Sequence, residues 1–232
     1  MHEQDLGDEV WEVIGNNRES FRTLLLTSER QTNGLDTSLE LPRLKELTLG
    51  GEVGQYLDDG FLAADFLVMP QLELLTVHGG KLGRAGLDEL ISSNHFYNLQ
   101  ELRLQDLWNL HRARAAVRAL ATLGNLRRLE LFNCTMPDEL IKRMCVASPV
   151  SDVIWPHLEV LDIGDKIEKM LSGRILNMAR LRGPQPQPKN GGGAEPVPWA
   201  ILEVQVSSIH EIPKLWRAEI AALAQEAARL RE

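Results

Sequence analysis

Residues 41–49 read LPRLKELTL, and the spacing of their apolar side chains returns four more times along the chain. Here the set is Leu41, Leu44, Leu47 and Leu49. In MPQLELLTV it is Met69, Leu72, Leu75 and Val77, and in FYNLQELRL it is Phe96, Leu99, Leu102 and Leu104. LGNLRRLEL supplies Leu123, Leu126, Leu129 and Leu131, and WPHLEVLDI supplies Trp155, Leu158, Leu161 and Ile163. The last two apolar residues of each copy are two positions apart, so they share one face of a short strand. The two before them, three apart, turn into the same interior from the approach to that strand. Such a unit has an open apolar flank, and neighbouring units must stack to bury it.

The third apolar position of each copy falls at Leu47, Leu75, Leu102, Leu129 and Leu161, in steps of 28, 27, 27 and 32 residues. Phe21, Leu24 and Leu26 predict an earlier strand 23 residues upstream, and Ile201, Val204 and Val206 a later one 43 residues downstream. Each interval leaves room for a helix. GLDELISSN places Leu87, Leu90 and Ile91 on one helical face, and RARAAVRALATLG does the same with Ala113, Ala116, Val117, Leu120 and Ala121. Gly124 is suited to stop the second of these. PDELIKRMCVAS opens with Pro137 and acidic residues, as a first helical turn favours, and EKMLSGRILNMARL is a further candidate. The expected fold class is α/β: a solenoid, or horseshoe, with a parallel concave sheet and convex helices.

Residues 1–182 are expected to form the repeat domain, opening on a partial repeat. DEVWEVIGNN reads there as a short helix with Val10, Val13 and Ile14 inward. The ladder begins within a unit, which predicts an N-terminal edge either exposed or preceded by more protein. Residues 183–198, GPQPQPKNGGGAEPVP, read as a flexible Pro/Gly-rich insertion. Residues 199–232 are expected to add the last strand and an Ala-rich terminal helix of the same domain. Trp216, Ile220, Leu223, Ala227 and Leu230 lie on its apolar side.

A net charge of −8 predicts no sequence-independent attraction to nucleic acid. The start of the chain has neither a basic region nor an apolar run of the secretory kind, and no stretch is long enough to span a membrane. With two cysteines, Cys134 and Cys145, there is no disulfide framework. The expected setting is reducing and intracellular, cytoplasmic or nuclear.

No catalytic or metal set emerges. The six histidines are dispersed without ligand spacing, and Cys134 reads as an inward structural residue after the fourth clear strand. GGGAEP and LGGEVG lack the context of a phosphate loop, and Asp58, Asp59 and Gly60 form a turn signal. No cofactor or small-molecule substrate is expected. Binding residues are sought instead among the side chains that alternate with the leucines. These include His78, Arg103, Gln105, Arg128, Glu130, Phe132 and Asp162. Arg103, Arg128, Glu130 and Asp162 form a mixed-charge field in which cross-strand pairing is expected. Phe132 lies beside it with the chemistry of an interface anchor. Trp108 reads as a turn or rim residue and Trp155 as core.

With the ladder and its helix-bearing period in view, the chain resembles the leucine-rich repeat superfamily over about residues 18–209. Segments such as KLGRAGLDELI look most like its ribonuclease-inhibitor-like branch, and the irregular repeats resemble the repeat regions of fungal F-box proteins. That likeness implies a non-enzymatic module that binds a protein on its concave face, selecting substrates for a cullin-type ubiquitin ligase. The residues before Phe21 are too few for an F-box, so only the recognition half is implied here. The alternative is a structural repeat fragment or scaffold with no dedicated ligand.

Overall fold

The computed structural model describes residues 7–28, 38–51, 67–78, 91, 96–106, 114–134, 140, 143–144, 154–164, 178, 180, 203–206, 218, 222 and 225. Helix α1 spans Gly7–Asn16 and is followed by strand β1, Thr23–Ser28. β2 is Leu39–Glu40, β3 Glu46–Gly51, β4 Leu67–Val68, β5 Leu74–His78 and β6 Glu101–Gln105. Helix α2 is Arg114–Ala121, before β7 (Arg128–Phe132), β8 (Val160–Ile163) and β9 (Glu203–Val206). The class is α/β.

Seven strands form one parallel sheet in the order β1-β3-β5-β6-β7-β8-β9, so each neighbours the next along the chain, while β2 and β4 pair separately. The register places Leu24, Leu47, Leu75, Leu102, Leu129, Leu161 and Val204 in a single row. Leu26, Leu49, Val77, Leu104, Leu131, Ile163 and Val206 form a second row two residues on. This is the register that the leucine spacing predicts. A slip of one residue would turn every ladder side chain to the opposite face.

Ahead of each strand the first two ladder residues close a turn. Leu44, Leu72, Leu99, Leu126 and Leu158 donate their N–H groups to the carbonyls of Leu41, Met69, Phe96, Leu123 and Trp155 at 3.1–3.2 Å. A second recurrent device joins successive units. The carbonyls of Arg22, Lys45, Glu73, Gln100 and Arg127 each accept two consecutive N–H groups from the next unit, at 2.7–3.0 Å. Turn asparagines add to it, with Asn98 Nδ2 donating to Pro70 O at 2.8 Å and Asn125 Nδ2 to Tyr97 O at 2.5 Å.

The ladder leucines and the helical residues form one apolar cluster. Ile14, Ile91, Ala119, Leu120, Leu140, Met144 and Met178 pack with the buried ladder rows, so the helices cover that face of the sheet. Leu140, Arg143, Met144, Met178 and Arg180 are helical in the two segments for which helices are predicted. Ala218, Ala222 and Gln225 are helical and exposed at helical spacing, the side opposite that predicted to be apolar. Trp155 is fully buried, and its indole N–H donates to Leu120 O at 2.8 Å. Its φ of 52° is unusual for a bulky residue, and burial of the ring with its N–H satisfied offsets that cost.

Two expectations are corrected. Val13 is 59% exposed; Ile14 is buried, and Trp11, three residues earlier on the same helical face, packs against the core instead. Helix α2 ends at Ala121, before Gly124. Thr122 Oγ1 turns back to donate to Ala119 O at 2.7 Å, and Gly124 lies exposed in the following turn. Val10, Leu87, Leu90, Trp108, the 183–198 insertion and the apolar side of the terminal helix lie outside the described side chains.

Candidate functional site

On β1 to β8 of the large sheet the residues between the ladder positions alternate with the core-facing rows, Thr76 alone of the non-glycine residues among them being buried, and the register arranges them into three rows. The first runs Thr23, Glu46, Leu74, Glu101, Arg128 and Val160, and the second Leu25, Thr48, Thr76, Arg103, Glu130 and Asp162. The third contains His78, Gln105 and Phe132, with Gly164 just past the end of β8. The first three strands therefore offer mainly hydroxyl and apolar groups, with Glu46 their one charge among these rows, and β6 to β8 carry the others. The seven residues singled out from sequence all lie within the second half of this face or at its border.

The charges are organised around Arg103 and Glu130. Arg103 Nη2 donates to Glu101 Oε2 at 3.1 Å, within its own strand. Its Nε lies 3.2 Å from Glu130 Oε2 across to β7, an ion-pair distance at an angle short of a hydrogen bond. Arg128 Nε donates to Glu130 Oε1 at 2.5 Å. Glu101, Arg103, Glu130 and Arg128 thus form an alternating chain in which each carboxylate meets a guanidinium. All four side chains are a quarter to two-fifths exposed, so each pair adds only about 0.2–1 kcal/mol. The chain fixes where the side chains stand more than it stabilises the fold. Asp162 is the register neighbour of Glu130, placing two carboxylates side by side on β7 and β8.

The third row is uncharged at its centre. His78 Nδ1 lies 2.7 Å from Gln105 Oε1; an amide oxygen only accepts, so the pair forms when Nδ1 carries the proton. Phe132 is 46% exposed. A Cβ at Gly164 would come within 2.9 Å of both Phe132 Cα and Phe132 Cδ2, so the ring edge rests where a side chain would otherwise stand. Gly164 had no functional reading in the sequence; its position one row-step from Phe132 was the available signal.

Beyond the strand ends, Asp106 and Asn133 have φ of 60° and 51°, a region Asp and Asn tolerate better than other residues with a Cβ. Asn133 Nδ2 donates to Asp106 Oδ1, tying the two strand ends together. Cys134 is fully buried, its thiol 3.2 Å from the carbonyl oxygens of both Leu104 and Phe132, which accounts for it structurally. Among the described residues no group of His, Cys, Asp and Glu could hold a metal ion, and no helix is long and apolar enough to cross a membrane. In comparisons with known proteins, no family model matches the chain and no curated protein is similar to it.

Proposed function

We propose that the chain is a leucine-rich repeat solenoid, a horseshoe with its sheet on the concave side, and that it binds a protein partner there without catalysing a reaction. The observation that carries this reading is the sheet itself: seven parallel strands in sequential order and one register, with the residues between the ladder positions aligned in rows across the described strands. An aromatic residue exposed beside a charged field has the composition of an interface anchor. Within this reading, the resemblance to fungal F-box repeat regions implies substrate selection for a cullin-type ubiquitin ligase.

Affinity purification from the native cell tests both levels. The expected result is a protein that co-purifies with the wild-type chain and is lost when Thr48→Arg crowds the middle row of the face and Phe132→Ala removes its exposed aromatic. Recovery of Skp-type and cullin components, directly or with a longer gene product, is expected of the ligase refinement. Their absence from both would sink it.

A scaffold with no dedicated ligand is the second reading. The mutual pairing of Glu101, Arg103, Glu130 and Arg128 favours it, because paired charges need no partner. It predicts that no co-purifying protein depends on the outward face.

A further inference from the structure

We propose that the chain self-associates through the free edge of β1, two copies pairing their β1 strands antiparallel about a twofold axis at Leu25. This pairing is independent of any partner held on the outward rows. Among the described residues β1 has β3 as its one neighbour. Arg22, just ahead of β1, turns its carbonyl to Glu46 N of β3 at 3.0 Å. Main-chain groups alternate between the two sides along a strand, so Leu24 and Leu26 bond toward β3. Thr23, Leu25 and Thr27 then hold their N–H and C=O groups toward the free edge. All three are exposed, Leu25 by 63%.

Edge strands are usually blunted by charge, proline or a bulge. β1 reads TLLLTS, with no charge and no proline, and its register with β3 runs unbroken from Thr23 to Ser28. Its core-facing side is also less closed than the rest of the ladder. Leu24 is 8% exposed and Leu26 only partly buried, against at most 2% in both rows from β3 to β8. An open apolar flank beside unpaired main-chain groups is filled by a further strand. A second β1 supplies that strand with both faces matched. Opposite residues in an antiparallel pair share a face. With Leu25 on the axis, Leu25 meets its own copy, Thr23 meets Thr27 on the outward face and Leu24 meets Leu26 on the core face. The edge-facing residues Thr23, Leu25 and Thr27 become the pairs that exchange N–H···O bonds. Moving the axis to Leu24 or Leu26 would set leucine against threonine on the outward face. Over residues 23–27 no charge enters the joint. A twofold uses the edge once, so assembly closes at the dimer.

Sedimentation equilibrium of the full chain at micromolar concentrations tests this. The expected result is a reversible monomer–dimer equilibrium. Leu25→Lys and Leu25→Glu each set like charges opposite one another and are expected to weaken the dimer roughly tenfold or more. An equimolar mixture of the two variants is expected to restore it, because opposite charges then meet. Thr27→Pro removes an edge-facing N–H that β3 does not use, and is expected to weaken the dimer with the circular dichroism of the fold kept. A chain that stays monomeric throughout, a dimer indifferent to Leu25→Lys, or a mixture that fails to recover would overturn the twofold pairing. Species that grow beyond the dimer with concentration would do so too, because they indicate head-to-tail addition. Should Leu25→Lys fail to fold, Thr27→Pro decides.

Discussion

At the scale of single residues, the ladder and the outward rows respond to substitution by different physics. Leu102 is fully buried in the middle of the sheet, with units on both sides. Leu102→Ala is expected to cost about 2–5 kcal/mol in urea unfolding, the range of large-to-small changes in packed cores. A silent result would mean that the strand faces are inverted. Gly164→Ala acts by crowding: its Cβ would lie 2.9 Å from the Phe132 backbone, which cannot swing aside as a side-chain tip can. We expect a loss of about 1–3 kcal/mol and a displaced Phe132 ring, checked by unfolding and by the aromatic proton shifts. Neither the crowding nor the alternating ion chain can be read from leucine spacing. Row positions follow from a register, but whether Arg103 reaches along its own strand to Glu101 or across to Glu130 depends on rotamers.

At the scale of elements, what repeats was readable and what terminates was not. The strands follow from a two-residue period that only one register can bury, and that is why Leu24 and Val204 align with the stronger copies. The two-residue strands β2 and β4 have no such pattern; they form because the chain passes its neighbour at the unit's corner, where Leu41 N also donates to Val68 O at 2.9 Å. Helix α1 shows the limit in another way. Val13 and Ile14 are equally apolar, and one turn of helix presents only one of them to the core. The stop of α2 depends on a threonine hydroxyl, a group common in helices and loops alike. Between units, Lys45 Nζ donates to Glu73 Oε1 at 2.6 Å, yet both side chains are 44% exposed. Lys45→Met is therefore expected to cost under about 1 kcal/mol, and the difference should vanish in molar salt. The backbone junction beneath that ion pair has no side-chain contribution and remains.

For the whole molecule, the proposed solenoid would make stability a sum of units and the interfaces between them, so that position along the sheet matters. Strands β5, β6 and β7 have a neighbour on both sides, whereas among the described strands β1 and β9 have one. In the monomer, amide hydrogen exchange is expected to be slowest in Leu102, Leu104 and Leu129 and progressively faster toward Leu24 and Val204. Uniform protection would indicate a single cooperative core instead. The fold class was readable at this scale because a repeated signal adds across copies, while the partner is not encoded in any repeated signal at all.

The paired acceptance by Arg22, Lys45, Glu73, Gln100 and Arg127 carries a consequence for how such a chain can change. The joint is made by main-chain atoms, so it is indifferent to which side chains the donors and acceptors bear. It also recurs whether the interval between units is 23 residues or 32. Each joint works as a standard coupling on a carriage: stretches between couplings can lengthen, shorten or be duplicated while the train stays aligned. The outward rows are thereby free to diverge residue by residue, and a new surface can be assembled on an old alignment.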